Sequence, residues 1–272
     1  VGTEPPVYLE PESEVGDPSE NPIEFTLHNE SPETIEYHGS GGWNLHKKTD
    51  DGWLRILPWV TTLEGPVQMD PGGSNTWSVN MSSTEDIGGF FASAEARYTG
   101  PGTYVFSALV GVESYVDFRP VAVFKAEGEP LSFEPVGVVE HERDNGVVRA
   151  RTESYEEDED KDEHGVVLSA TSVDEAPETL AELHDEYVVQ SNVANNTLAF
   201  LDDGEAEEVR FEGGKVLLRR LSLLEAFGVV YENLEGETVV EPLPDSGDDE
   251  RPRGLRFVND GTTYEVTPLK SS

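Results

Sequence analysis

From Val7 to Ala126 short runs with strand character alternate with clusters of turn residues, a rhythm that suits packed β-sheets and leaves little room for helices. Ile23-Glu24-Phe25-Thr26-Leu27 alternates apolar with polar residues and stops at Asn29-Glu30-Ser31-Pro32. Thr34-Ile35-Glu36-Tyr37 is a second run. Trp43 to Lys47 and Trp53 to Ile56 flank Thr49-Asp50-Asp51-Gly52, and they read as a hairpin because Asp-Gly accepts the positive φ such turns demand. Asp70-Pro71-Gly72-Gly73-Ser74 leads into Thr76 to Met81, Gly100-Pro101-Gly102 leads into Thr103 to Val110, and Val121 to Lys125 closes the series. Roughly seven or eight short strands in sequence bury their apolar faces most simply as two packed sheets.

The order of these motifs carries a resemblance. A strand ending in "HNES", then "WNLHKKTDDGWLRI", "MDPGGSNTWSVN" and "GPGTYVFSALV" is similar to the Ig-like domains of prokaryotic surface and lipoprotein-type proteins. The resemblance covers nearly half of the chain and implies an Ig-like β-sandwich over residues 1–127. The same pattern resembles the intracellular proteinase inhibitors of bacilli, which are also β-sandwiches, although no inhibitory loop maps onto these residues. A sandwich of this kind hosts many roles, so the fold alone names none.

Residues 128–272 read as a smaller α+β domain. Tyr155 to His164 is a dense acidic run between two strand-like arms, Gly146 to Thr152 and Gly165 to Ala170, and reads as an acidic loop at 155–164. Acidic residues and Pro177 at a first turn, with Leu180, Leu183 and Tyr187 at helical spacing, predict a helix over 177–187. Leu221 to Phe227 is a second helical candidate, and Asn259-Asp260-Gly261 is a strong hairpin turn. "VRFEGGKVLL" and "LRFVNDGTTYEV" look alike, and they resemble hairpins of small α+β modules in haloarchaeal surface proteins.

Charge bounds the environment and the partners. The chain holds 56 Asp and Glu against 18 Lys and Arg, a formal net charge of −38. Such self-repulsion opposes a compact state in dilute buffer, and halophilic proteins use the same lever. At about 1 M salt the Debye length falls to roughly 3 Å, so neighbouring carboxylates cease to feel one another beyond contact. Disorder is the competing expectation for so acidic a chain, but 36% of the residues are apolar and 9% are aromatic, enough for a core. Arg over Lys, Val over Ile and the absence of Cys resemble haloarchaeal proteomes. Nucleic acid and anionic membranes are disfavoured partners, because binding them needs a basic surface. No apolar run reaches the roughly 20 residues of a spanning helix. The start at Val1, followed by an extended Pro-bearing stretch, suits a tether left by a removed signal or an N-terminal membrane anchor, and equally a trimmed chain. Sequons at Asn29, Asn80 and Asn195 would be glycosylation acceptors in an exported glycoprotein.

No motif for catalysis emerges. Asp158, Asp160 and Asp162 have the spacing that opens a calcium loop, but Glu163 stands where the sharp turn needs Gly and Ser169 where a bidentate Glu closes the site. The reading is a solvated loop with weak cation association. Six histidines show no ligand spacing, and without cysteine there is neither a thiolate metal site nor a thiol nucleophile. No cofactor is expected. Trp43, Trp53, Trp59 and Trp77 crowd into one stretch; Trp43 and Trp77 sit in alternating strands and read as core, whereas Trp59 follows Pro58 in a loop and reads as a contact residue. The expected protein is a non-catalytic binding or structural module, extracellular or on the cell surface of a halophile, contacting a protein partner or its own copies. Carbohydrate binding or carbohydrate-directed catalysis, and proteinase inhibition, are the alternatives.

Overall fold

A computed structural model describes residues 6–38, 42–50, 52–57, 66–82, 95–112, 116–152, 166–173, 180–202, 204, 206–213, 238–243 and 254–269. The protein is mainly β, and the described residues fall into two compact units, one within 1–131 and one within 132–272. The first holds β1 (Val7–Pro11), β2 (Val15–Gly16), β3 (Ile23–Asn29), β4 (Ile35–Tyr37), β5 (Trp43–Lys48), β6 (Trp53–Leu57), β7 (Val67–Met69), β8 (Ser74–Ser82), β9 (Glu95–Arg97), β10 (Gly102–Ala108), β11 (Val110–Val112), β12 (Val116–Phe118) and β13 (Val121–Ala126). They form a four-stranded sheet β1-β3-β8-β9, a five-stranded sheet β2-β13-β10-β5-β6 and a four-stranded sheet β12-β11-β4-β7.

Alternation sets the faces. In β3, Ile23, Phe25 and Leu27 are buried and Glu24 is exposed; in β13, Ala122, Phe124 and Ala126 are buried and Val121, Val123 and Lys125 are exposed. The core lies where the first two sheets meet: Phe25 of β3 stacks on Phe106 of β10 at 4.4 Å between ring centroids and contacts Phe124 of β13 at 5.3 Å. Trp43 and Trp77 join the same cluster, 5.5 and 5.8 Å from the Phe106 ring. Tyr37 of the third sheet meets Trp77 edge-on at 5.8 Å.

Tyr104, early in β10, donates its hydroxyl to the Gly100 carbonyl four residues upstream at 2.6 Å. Trp43 packs in the core from β5, and β2 runs parallel to β13. The expected hairpin is present: β5 and β6 pair antiparallel, with a bulge at Leu45 and His46 and Gly52 at φ 143° in the turn.

In the second unit, β14 (Val138–Asp144), β15 (Val147–Thr152), β16 (Val166–Val173), β17 (Glu208–Gly213), β18 (Val240–Pro242), β19 (Leu255–Asn259) and β20 (Thr262–Leu269) form one sheet in the order β14-β15-β17-β16-β20-β19-β18. The β19–β20 turn puts Asp260 at φ 46° and Gly261 at φ 69°, the paired positive values of a type I′ turn. Helices α1 (Asp185–Val188) and α2 (Asn192–Leu201) follow β16, and α2 packs on β16 and β17. The opposite face is a polar ladder: Arg256 pairs with Glu265 and Glu241, and Arg210 grips Glu208 with two hydrogen bonds of 2.8 and 3.0 Å.

The helix expected over 177–187 is corrected. Residues 174–179 lie outside the described residues, and Leu180 to His184 are not helical. Backbone donors there go elsewhere: Ala181 N–H to the Thr238 carbonyl and Leu183 N–H to that of Val258, while Glu182 bridges Val258. A segment whose amides bond to other strands cannot close its own helical turns. Of the described residues in the expected span only Asp185 to Tyr187 are helical, within the short α1, where Tyr187 is buried. Leu183 is buried outside it, and the longer helix α2 starts further on, where Ser191 accepts the Ala194 N–H as its N-cap. The candidate at Leu221 to Phe227 lies outside the described residues.

Candidate functional site

The outward face of the five-stranded sheet departs from the rest of the chain. Register lays its side chains in rows: Val123 opposite Val105, Val105 opposite His46, and His46 opposite Arg55. Val121 lies opposite Ser107 and Ser107 opposite Asn44, while Lys125 pairs with both Thr103 and Val15, and Lys48 with Trp53. Acids outnumber bases 56 to 18 in the chain. These rows nevertheless carry three cations, Lys48, Arg55 and Lys125, and no Asp or Glu among the described residues. Glu127, just beyond β13, is the near acid and pairs with Lys125 at 3.4 Å.

The face is also apolar. Trp53 is 50% exposed, Val121 55%, Val123 53% and Val15 47%. Single exposed aliphatics are ordinary, but a group of them on adjacent strands marks a contact surface. The other sheet of the sandwich supplies the contrast, since beside a stacked Tyr8–His28 pair its outward rows hold Glu10, Glu24, Thr26, Thr76 and Ser78, with Thr26 and Thr76 sharing a 2.9 Å hydrogen bond. That is a solvated surface. Moreover, β2 pairs with β13 only at Lys125 and Ala126, so the strand edge at Val121 to Phe124 is left uncovered by β2.

Beside Val121 opens a groove of about 620 Å³, walled by Val7, Leu9, Pro32, Phe118, Pro120 and Val121, with Glu33 and Arg119 among its lining. The charge of Arg119 also reaches His46 on the sheet face. Burial lowers the His46 pKa, and the cationic Arg55 and Arg119 lower it further. The unfolded chain therefore takes up a proton first as pH falls below about 6.5, so acidification through that value destabilises the fold. An NMR titration is expected to place the His46 midpoint below 6.5, with Arg55→Gln raising it. A wild-type midpoint at or above 6.5 contradicts this geometry.

The residues expected to act behave differently from one another. Trp59, Asp158, Asp160 and Asp162 lie outside the described residues. Trp43 and Trp77 are core residues. Asn29 is fully buried: its amide donates to the Glu33 and Met69 carbonyls at 2.9 and 3.0 Å and its oxygen accepts from Ser31. Asn195 is likewise buried, donating to the Glu134 carbonyl at 2.7 Å, beside Asn196, which both accepts from and donates to the Val136 backbone. A glycan on either nitrogen would replace these bonds and have no path to solvent, so the geometry gives both amides a structural role. Asn80 lies in β8. Among the described residues no group of three potential ligands, His38 and His46 included, could hold a metal ion, and no helix is long and apolar enough to cross a membrane.

Reading the sequence alone passed over Trp53, Lys48, Arg55, Lys125, Val121 and Val123. The alternation in each strand already pointed them outward. What it lacked was the pairing order that lays β13, β10, β5 and β6 side by side.

Comparison with known proteins leaves this reading to the geometry. No family model matches the chain, and no curated protein matches it. Two solved structures of a β-glucosidase from Listeria innocua, one with gluconolactone and a mutant with laminaribiose, each align at 19% identity and TM-score 0.22. Each alignment covers 46% of this chain and 16% of that one. A likeness at that level carries no argument.

Proposed function

We propose that the chain is a non-catalytic protein-binding module of an extracellular or cell-surface protein adapted to high salt, and that its contact surface is the outward face of the five-stranded sheet. One observation carries the reading: in a chain this acidic, the strand rows of that face hold no Asp or Glu among the described residues and are cationic and aliphatic. Four strands about 4.8 Å apart and about six residues long, at roughly 3.3 Å per residue, cover roughly 15 by 20 Å, about 300 Å², well short of the roughly 800 Å² per partner of a stable interface. The sheet face alone thus supports a weak, reversible contact.

The test uses surface and secreted proteins of the source organism in 3 M KCl. A captured partner is identified, purified and titrated against wild type, Val123→Glu on the face and Thr76→Glu on the opposite sheet. The expected result is at least tenfold weaker binding for Val123→Glu and no change for Thr76→Glu; equal affinities remove the face from the function. The mass of the native protein tests export, and an unprocessed, unmodified cytosolic chain contradicts it.

The exposed Trp53, beside the polar His46 row, favours a second reading as a platform for sugar rings. A glycan array in high salt, with Trp53→Ala as control, separates the two.

A further inference from the structure

We infer that the sheet face and the adjoining groove take an acidic, extended segment of another protein, one of whose aliphatic or aromatic side chains seats in the groove. This rests on the reading of the face as the contact surface and adds the chemistry of the partner. The groove and the face are continuous, because Val121 belongs to both. The groove volume of about 620 Å³ lies within the roughly 300–1,000 Å³ of ordinary ligand pockets, and its walls are largely aliphatic or aromatic. It supplies the contact area that the sheet face lacks.

Charge selects the occupant. Lys48, Arg55 and Lys125 on the face and Arg119 at the groove complement carboxylates, and among the described residues the neighbouring acids are outnumbered: Glu127, paired with Lys125, and Glu33 in the groove lining. A second copy docked by the same face would set those cations against their own counterparts across the two-fold axis, which is unfavourable. A long polyanion such as nucleic acid would meet the field of a chain of charge −38, whereas a short segment touches only the cationic patch. In molar salt the Debye length is roughly 3 Å, so only carboxylates in direct contact count. Affinity then rests on the seated apolar side chain and specificity on the charges.

The probes are three eight-residue peptides, one alternating valine with glutamate, one valine with lysine and one serine with glutamate. Each is titrated in 2 M KCl and followed by backbone amide NMR. The valine–glutamate peptide is expected to shift the amides of Val105, Val121 and Val123 and to bind at least tenfold more tightly than either counterpart. The double variant Lys48→Glu/Lys125→Glu, at two exposed positions, should lose that tenfold. Equal binding of the three peptides, shifts confined elsewhere, or no shift at millimolar peptide overturns the inference. So does a dimer in sedimentation that Val123→Glu abolishes. The two failures are distinguishable: a native partner lost on Val123→Glu together with equal peptide binding sinks the acidic segment alone. Capture indifferent to Val123→Glu sinks the face itself.

Discussion

Dialysis from 3 M to 0.1 M KCl is expected to unfold the chain, with loss of near-ultraviolet circular dichroism and recovery when salt is restored. The reason is local as well as global. Glu142 and Asp144 are both exposed at alternate positions of β14. Alternate residues of a strand lie roughly 7 Å apart. That distance is inside the Debye length of roughly 10 Å at 0.1 M salt and outside the roughly 3 Å at 1 M. Such pairs therefore repel in dilute buffer and fall nearly silent in brine, and with 38 more negative than positive charges the repulsions greatly outnumber the attractions. Sucrose at matched osmolality should not substitute for KCl if screening is the cause. A melting temperature unchanged between the two salt concentrations would contradict the argument and, with it, the high-salt environment.

Phe106→Ala is expected to destabilise the first unit by about 3–5 kcal/mol, the range for deleting a buried aromatic ring. Phe106 is fully buried at the junction of the two sheets, stacked on Phe25 at an interplanar angle of 12° and on Trp43 at 24°, with Trp77 tilted above it. Removing its ring leaves three aromatic neighbours facing a void that rigid strands cannot close. Urea titration in 3 M KCl measures the effect; guanidinium, itself a salt, would confound it. Phe106→Leu, which keeps most of the volume, should cost clearly less. A loss below about 1 kcal/mol for the alanine variant would place the centre of the core elsewhere.

Legibility followed the physics of each signal. Asp51-Gly52 and Asp260-Gly261 announced their hairpins because only a few residues accept positive φ, and both turns are present. Trp43 and Trp77 were legible as core from alternation alone. Helix α2 was not legible, because Asn195, Asn196 and Thr197 interrupt its apolar pattern although all three are buried. Their polarity is satisfied inside the unit: Asn195 and Asn196 hold the extended segment Glu134 to Val136, and Thr197 bonds back to the Val193 carbonyl. A pattern rule sorts polar residues to the surface and cannot foresee an amide whose partner is a backbone about 60 residues away. The misplaced helix has the mirror-image cause. Leu180, Leu183 and Tyr187 keep helical spacing, yet Leu183 gives its amide to β19.

By itself the sequence determined the β-rich class of the first unit, the inward and outward parity of its strands, and a net charge that any partner must meet. These are local or summed properties, readable without knowing which residues are neighbours. Tertiary structure alone decided that the outward positions of β13, β10, β5 and β6 adjoin, because strand order is a long-range choice made by the core between the sheets. Lys48 and Lys125 are 77 positions apart along the chain, and only that pairing order makes them part of one cationic, aliphatic face.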